Sequence, residues 1–232
     1  MDMAKAIRVN QALSEADLVV IGASNGFDMA EGLNMFLGDD HFWEAYGDLA
    51  RLDGVGCILQ GLASPNADVR DRWTARFLRR EHIEYEPSPL MLELLRLTGH
   101  ADTFVVTCNI DGHFVKAGLS EKRVLETEGS ISTSIDEQRL AHPDATALAQ
   151  LDELARLVRA HRNGRVVILE LGVGMRNGVI KRMLAQVVDA CEHVTYIVFN
   201  YSEAVAPNAS CEDILVEGDM AAAFREIALC QA

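Results

Sequence analysis

Short apolar runs recur along the chain and alternate with longer stretches that have a helical pattern. The runs carry apolar residues at consecutive positions, which is typical of strands buried on both faces inside a parallel sheet. They predict strands at 18–21, 103–107, 123–126, 166–169, 194–199 and 214–216. Because helical patterns lie between these runs, the order of elements predicts an α/β fold, a Rossmann-like doubly wound parallel sheet.

Amphipathic spacing predicts the helices. They are expected at 3–15, 39–52, 68–85, 89–97, 144–162, 179–191 and from 219 to the end, with Ile7, Val9 and Leu13 on the buried face of the first. One helical turn is expected at 112–118, and loops at 54–65 and 136–143. Strand runs are sparse between residues 27 and 100, where helical patterns dominate. We therefore expect one domain, 1–232, with a helical insertion at about 27–100 over the mouth of the sheet.

The predicted strands end in small or polar residues. These ends are 22–25, 109–111, 128–129, 172–174 and Asn200. Ligands of open parallel sheets bind beyond the carboxyl ends of the strands, so several such ends on one edge predict a binding crevice. Asn109 and Asp111 suit a ligand with hydroxyls and an amide, although Asn-x-Asp is also common in turns that cap helices. The first turn, Gly-Ala-Ser-Asn-Gly, has the form of a nucleotide-binding turn or of a tight turn without a ligand.

The charge of the chain limits its partners. The net charge is −14, from 21 basic and 35 acidic residues. This excess of acid argues against nucleic acid as the main partner and against an anionic membrane surface. The first 13 residues contain no apolar segment of a signal peptide, and no apolar run approaches the ~18 residues of a membrane span. The expected location is therefore cytoplasmic.

The five cysteines do not form a recognisable metal or disulfide pattern. Their number is odd and no Cys-x-x-Cys pair occurs, so we expect neither a structural zinc site nor a disulfide framework. Cys108 is expected to be an inert packed thiol. His113 follows the Asn-Ile-Asp-Gly turn and either faces the cleft or simply begins a helix. Five other histidines are expected at the surface: His82, His100, His142, His161 and His193.

The strand ends also carry motifs that resemble the sirtuin (silent-information-regulator) family. The most specific is the stretch 107–112, Thr-Cys-Asn-Ile-Asp-Gly, which is similar to the family's Thr-Gln-Asn-Ile-Asp-Gly; Ala117-Gly118 follows at the family's distance. The stretch 126–130, Glu-Thr-Glu-Gly-Ser, resembles the family's Glu-Leu-His-Gly-Ser/Asn. Gly22-Ala23, 172–174, Asn200 and Gly218-Asp219 stand where the family has its other nucleotide-binding turns. The resemblance spans about residues 16–220 in the right order.

The resemblance implies an NAD-binding Rossmann-like domain with a smaller module over the cleft. The implied chemistry is cleavage of the nicotinamide–ribose bond and transfer of the ADP-ribosyl unit. Asn109 would order the ribose and a water, while Asp111 and the Ile110 backbone would hold the carboxamide. The implied cofactor-binding residues are Gly22, Ala23, Ser24, Asn25, Ile110, Gly172, Val173, Gly174, Asn200, Gly218 and Asp219.

The chain departs from the family at three places. Glu128 stands at the position of the catalytic histidine, the four zinc cysteines expected after Gly129 are missing, and no arginine follows the first glycine turn. A glutamate is normally ionised at neutral pH and would act as a base or stabilise a cation. The catalytic set would then be Asn109, Asp111 and Glu128, with no metal.

These departures resemble the divergent microbial sirtuin branch associated with protein mono-ADP-ribosylation. We therefore expect an NAD-dependent transferase with an unidentified protein acceptor. Two alternatives remain open. One is an NAD-dependent deacylase that uses Glu128 as base, and the other is a catalytically weak NAD or ADP-ribose binding module. The sequence does not indicate the oligomeric state.

Overall fold

Six parallel strands form the central sheet of the computed structural model, which describes residues 1–135, 139–206 and 212–230. The strands are β1 Leu18–Ala23, β2 Asp102–Thr107, β3 Val124–Glu126, β6 Arg165–Leu171, β7 His193–Asn200 and β8 Glu212–Glu217, and their order is β3-β2-β1-β6-β7-β8. All neighbouring pairs are parallel. The predicted strands and the doubly wound fold are therefore confirmed. The order reverses between β1 and β6, which is where a ligand crevice forms in such sheets.

The sheet is buried on both faces by helices. The helices are α1 Met3–Ser14, α2 Asn25–Glu31, α3 Asp40–Asp53, α4 Ile58–Leu62, α5 Ala67–Phe77, α6 Pro89–Thr98, α7 His113–Lys116, α8 Ala145–Ala160, α9 Gly178–Ala190 and α10 Met220–Leu229. Helices α1, α6 and α10 share one core cluster with the sheet, and α8 and α9 share another. No helix within the described ranges is long and apolar enough to cross a lipid bilayer.

The buried face of α1 differs from the expected one. Ile7 is exposed, whereas Ala6, Val9 and Leu13 are buried against the sheet. Positions 6, 9 and 13 are spaced by three and four residues and so share one helical face, which leaves Ile7 beside that face.

Several short elements also differ from the expectations. Helix α4 lies inside the predicted loop 54–65, and the predicted helix 68–85 is α5 followed by a π-helical turn, Leu78–Ile83. A hairpin of β4 Gly129–Ser130 and β5 Ser134–Ile135 was not predicted. Elements of two to six residues are too short to express a hydrophobic period. The predicted loop 136–143 extends over 136–138, which lie outside the described residues.

Residues 33–83, here called the helical cap, have a core of their own. Phe42, Tyr46, Trp73 and Phe77 are completely buried in it. The rings of Tyr46 and Trp73 stack with centroids 5.6 Å apart and an angle of 5° between their planes. Helix α6 instead packs on the sheet beside α1 and α10. Within the stretch 27–100, only the cap residues therefore belong to a core cluster separate from the two that cover the sheet.

The described cysteines are unpaired and half-buried. They are Cys57, Cys108, Cys191 and Cys230. Burial raises the pKa of Cys191 and of Cys108, so both remain protonated thiols at neutral pH. Cys211 lies outside the described residues.

The cap core predicts the effect of adding a methyl group at Gly61 in α4. A Cβ at this position would lie 2.0 Å from Cδ2 of the Trp73 indole, which is itself buried. We expect Gly61→Ala to lower the free energy of unfolding by about 1–3 kcal/mol, the usual cost of overpacking a core. Denaturant unfolding measures this change.

Gly47→Ala in α3 is the matched control. Its nearest contact would be ordinary, 3.4 Å from Cε3 of Trp43. Alanine is favoured over glycine within helices by about 1 kcal/mol, so this variant should be as stable as the parent or more stable. Equal stability of Gly61→Ala and Gly47→Ala would contradict the packing of Trp73 against α4.

Candidate functional site

A cavity of about 420 Å³ opens where the strand order reverses. Its size falls in the range of small-molecule sites, ~300–1,000 Å³. It lies beyond the carboxyl ends of β1, β6, β7 and β8 and beside the N-terminus of α10. It is lined by Gly26, Met29, Ala30, Gly172, Asn200, Tyr201, Gly218, Asp219, Met220 and Ala221. Four of the sequence-predicted residues, Gly172, Asn200, Gly218 and Asp219, therefore meet in one cavity.

A wider groove of about 820 Å³ lies at the opposite edge of the sheet. Charged side chains near this groove pair with one another, as Arg8 does with Glu212 and Arg165 with Glu15, both at 2.6 Å. It lies at the amino ends of β6 and β7, which is not where open parallel sheets bind ligands. We therefore assign the candidate site to the carboxyl edge.

Two glycines bring the first turn against the end of β6. The Gly26 backbone N–H donates to the Gly172 carbonyl at 3.2 Å, and a Cβ on Gly26 would lie 2.6 Å from the Gly172 Cα. Gly172 also has a φ of +61°, a conformation that favours glycine. The wall of the cavity at this point is therefore bare backbone.

Ser24, Cys108 and Asn177 form a polar cluster that joins three elements. The Ser24 Oγ lies 3.1 Å from the Cys108 Sγ, and the Asn177 Nδ2 donates to that sulfur at 3.1 Å. Asn177 also caps α9 by accepting from the Ile180 N–H at 3.2 Å. The negative charge of Glu128 adds to burial in raising the pKa of Cys108. The sequence analysis missed Asn177, whose one signal is an asparagine before a helical pattern.

Asn109 is buried at the end of β2, and its polar groups are engaged. Only 3% of its surface is exposed. Its backbone N–H donates to the Thr107 Oγ1 at 3.0 Å, and its Nδ2 donates to the Asp28 carboxylate of α2 in a short hydrogen bond. Its Oδ1 lies 4.0 Å from the Cys108 Sγ. The sequence analysis missed Asp28, because nothing in a lone aspartate on a short helix indicates this long-range partner.

Asp28 and Asp111 form a pair of buried carboxyl groups. The Asp111 Oδ1 accepts from the His113 backbone N–H at 2.8 Å. One oxygen of Asp111 therefore caps the start of α7, which was one of the two interpretations of this turn. The Oδ2 atoms of both aspartates are buried and have no hydrogen-bond partner among the described residues. Burial and the neighbouring Asp111 raise the pKa of Asp28 well above its ordinary value.

His113 begins α7 and connects the sheet edge to the helical cap. Its Nδ1 lies 3.3 Å from the Glu31 Oε2, and its Nε2 lies 2.7 Å from the Glu81 carbonyl oxygen of the cap. The Tyr85 ring stacks on the imidazole, with centroids 3.6 Å apart. Both ring nitrogens therefore face acceptors, which is the partner set of an imidazolium. Burial opposes this charge, but the carboxylates of Asp111 and Glu31 outweigh burial and raise the pKa of His113.

His82 corrects one expectation of the sequence analysis. It was expected at the surface, but it is half-buried, and its Nδ1 lies 2.8 Å from the Asp111 carbonyl oxygen. A Cβ on Gly112 would lie 2.8 Å from this imidazole, and Gly112 has a φ of +75°. His161 is half-buried as well and lies 2.8 Å from Asp102. His100, His142 and His193 are exposed as expected.

Two further acidic side chains lie at the end of β3 and just after it. Glu128 is half-buried, and its charge acts on Cys108. At the end of β3, burial and the charge of Asp111 raise the pKa of Glu126 to about 8. Acidic side chains therefore gather at this end of the site, with Glu126 mainly protonated at neutral pH, and His113 is a buried basic group among them.

The remaining predicted residues occupy different places around the site. Gly22 and Ala23 lie within β1, where a Cβ on Gly22 would lie 2.5 Å from the Leu184 Cδ1 of α9. They support the packing of the sheet and do not line the cavity. Val173 is also buried, and Ile110 packs against the cap core. Asn25 begins α2, and a Cβ on Gly174 would meet open space.

No group of three or more His, Cys, Asp and Glu side chains in the described part of the chain is arranged to hold a metal ion.

The fold is similar to that of solved Sir2 structures. Sir2Tm bound to a propionylated peptide is 15% identical with a TM-score of 0.55, over 99% of this chain and 98% of that chain. A Sir2 homolog–NAD complex is 13% identical with a TM-score of 0.54, over 97% and 93%. A structure on the mechanism and regulation of Sir2 enzymes is 13% identical with a TM-score of 0.53, over 98% and 99%.

No protein-family model and no curated protein matches the sequence. At these sequence identities the likeness establishes the fold: the chain has the sirtuin fold.

The contacts of His113 predict a component of stability that depends on pH. Its pKa is raised in the folded state above the ordinary 6.5, so its contribution is fully present below pH 6.5 and is lost as the pH rises through the folded-state value. We expect the melting temperature to fall over this range in the parent and to fall less in His113→Gln. Thermal melts over a pH series measure this difference.

His100→Gln is the control, because His100 is exposed and its Nε2 lies 3.0 Å from the Leu13 carbonyl oxygen. The melting temperature of His100→Gln should change with pH in the same way as that of the parent. Parallel profiles of the parent and His113→Gln would show that His113 is uncharged in the folded state.

Proposed function

We propose that this protein is an NAD-consuming enzyme of the sirtuin type, which cleaves the nicotinamide–ribose bond and transfers the ADP-ribosyl unit to a protein acceptor. The observation that carries the proposal is the set of groups that gather at the carboxyl edge of the sheet. They are the cavity with its bare backbone at Gly26 and Gly172, the Ser24, Cys108 and Asn177 cluster, and the buried Asn109. A structural neighbour with the same fold is an NAD complex.

The cavity fits the adenosine part of NAD. Its apolar side chains, Met29, Tyr201 and Met220, offer a surface for a base, while Asn200 and Asp219 offer polar groups. The Asn200 Nδ2 donates to the Val173 carbonyl at 3.2 Å and so fixes the loop after β6. The bare backbone at Gly26 and Gly172 allows close approach of a ligand.

The phosphates would be held by backbone N–H groups. The side chains that line the cavity include no lysine or arginine, in agreement with the missing arginine of the sequence motif. Backbone donors alone suit an anion less well than a cation with bidentate geometry does. We therefore expect affinity for NAD in the micromolar to millimolar range.

Three side chains would carry the chemistry. NAD supplies the scissile bond and its leaving group. Asn109 would order the ribose and a water, and Asp111 with the Ile110 backbone would hold the carboxamide. Glu128, half-buried and acidic, would stabilise positive charge that develops at the ribose or would accept a proton from the nucleophile.

Protein mono-ADP-ribosylation is favoured over deacylation because Glu128 replaces a histidine that titrates near neutral pH. Deacylation is the second candidate, favoured by the neighbour that binds a propionylated peptide. A nucleotide-binding module is the third, favoured by the nearly complete burial of Asn109. The cytoplasmic location and the protein acceptor, with neither nucleic acid nor membrane as partner, stay predictions.

Ligand binding is tested first by thermal stability. NAD or ADP-ribose at ~100 times its dissociation constant should add ~2.7 kcal/mol to the free energy of unfolding. Asn200→Ala should reduce the stabilisation by the ligand, because it removes a polar side chain from the cavity wall. Glu212→Gln, at the far edge of the sheet, should be stabilised by the ligand as much as the parent is. A melting temperature that does not move with millimolar NAD, ADP-ribose or nicotinamide would contradict the proposed site.

The reaction is tested by nicotinamide release. Asn109→Ala should abolish nicotinamide release, because it removes the amide at the end of β2 that would order the ribose and a water. Glu128→Gln should lower the rate by ~10²–10⁴, the usual range for one acid–base group, with NAD affinity unchanged. Glu121→Gln, exposed in the segment before β3, should retain the parent's rate.

The products distinguish the three candidates. Free nicotinamide with labelled protein supports ADP-ribosyl transfer, whereas acyl-ADP-ribose supports deacylation. Binding of NAD without turnover in the parent favours the binding module. Undiminished turnover in Glu128→Gln would mean that Glu128 has no part in the reaction.

A further inference from the structure

We propose that Asp28 is a positioning residue that works as a neutral acid. It shares one proton with Asp111, and it fixes the Asn109 amide with the amide nitrogen toward the Asp28 carboxyl. The Asn109 Oδ1 is thereby turned toward the Ser24, Cys108 and Asn177 cluster. The catalytic consequence rests on the proposed function. The proton sharing itself rests on the geometry of the buried pair alone.

The first observation is two buried oxygens without a hydrogen bond, although one of them, the Asp111 Oδ2, lies 3.8 Å from the His113 Nδ1 as an ion pair. The Oδ2 of Asp28 and the Oδ2 of Asp111 are both buried without a hydrogen-bond partner among the described residues, and the aspartates are 2% and 3% exposed. Buried acceptors without donors are rare in folded proteins. Two buried carboxylates side by side cannot both ionise, whereas one proton between them provides the missing hydrogen bond for both.

The second observation is the orientation of Asn109. The two ends of an asparagine amide have nearly the same shape, so their orientation is set by the partners. The Asn109 Nδ2 donates to the Asp28 Oδ1, whereas its Oδ1 lies at the thiol of Cys108, 4.0 Å away. Asp28 accepts at this oxygen whether it is charged or neutral. Loss of the acceptor would free the amide to turn.

The surroundings of Asp28 disfavour its charged form. The groups that face it are the carboxyls of Asp111 and Glu31 and the protonated thiol of Cys108, and burial with Asp111 raises the pKa of Asp28. The His113 imidazolium lies against the other two carboxylates, 3.3 Å from Glu31 and 3.8 Å from Asp111. The positive charge of His113 therefore compensates Glu31 and Asp111 and leaves Asp28 as the member of the pair that keeps the proton.

Two substitutions of Asp28 separate a neutral acid from a charged one. Asp28→Asn copies the neutral acid, because its oxygen accepts from Asn109 and its nitrogen donates to Asp111. It should release nicotinamide at the parent's rate. Asp28→Ala removes the acceptor and should lower this rate by about 10²-fold, as expected when a reacting group is misplaced by about 1 Å. NAD affinity, measured by calorimetry, should change little in either variant.

A second measurement needs no activity. The raised pKa of Asp28 gives stability that is fully present below its unfolded value and is lost as the pH rises through the folded-state value. Asp28→Asn has no such group. Its melting temperature, compared with that of the parent, should therefore rise as the pH is raised from about 4 toward neutrality and beyond.

The outcomes are distinct. A constant difference in melting temperature between Asp28→Asn and the parent over this pH range overturns the shared proton. Loss of nicotinamide release in Asp28→Asn equal to that in Asp28→Ala overturns the neutral acid, because an isostere of the neutral form would then fail. If the parent releases no nicotinamide, the proposed function fails, while the pH series still decides the proton sharing. If Asp28→Ala does not fold, Asp28→Asn and the pH series together decide it.

Discussion

The buried imidazolium of His113 is the interaction on which the arrangement of the site depends. It touches two segments that are distant in the chain, α2 through Glu31 and the cap through the Glu81 carbonyl, and it contacts its own turn through Asp111. Glu31 also accepts hydrogen bonds from the Tyr85 hydroxyl at 3.0 Å and the Ser88 hydroxyl at 2.6 Å, so its negative charge is well compensated. Breaking a buried ion pair by removal of one partner costs about 3–5 kcal/mol, which is a large part of the stability of a domain.

The position of the cap depends in part on this link. The aromatic core of the cap also includes Ile131 and packs against Ile110, both outside the cap. Directional polar contacts add to this placement: His113 with the Glu81 carbonyl, and His82 with the Asp111 carbonyl. Glu81 is held in turn by the Tyr46 hydroxyl at 2.8 Å and by the His41 Nε2 at 3.2 Å. The cap core and the cleft are thus joined through one π-helical turn, 78–83.

The features that depend on the local pattern of residues could be predicted from the sequence. The strands could be predicted because β1 and β6 are apolar on both faces, and the crevice followed because parallel strands end at one edge. The contacts of Asp28, His82 and Asn177 could not be predicted, because each depends on which residue of a distant element comes within hydrogen-bond distance. Gly22 is a case in which the motif predicted a different role. It was expected to contact a ligand, but it packs against Leu184 of α9.

The acidity of the site bears on the proposed chemistry. A positive charge that develops at a ribose would meet the carboxylates of Glu128 and Asp111, and opposite charges attract strongly where water is excluded. The same carboxylates would repel the phosphates of NAD, which in the proposed function would lie at the other end of the site, near the bare backbone of Gly26 and Gly172. The proposed arrangement would thus keep the anionic phosphates apart from the acidic side chains that face the developing cation. In the proposed function, a glutamate at 128 in place of a histidine would add to this negative charge and would favour cleavage of the glycosidic bond over proton shuttling at neutral pH.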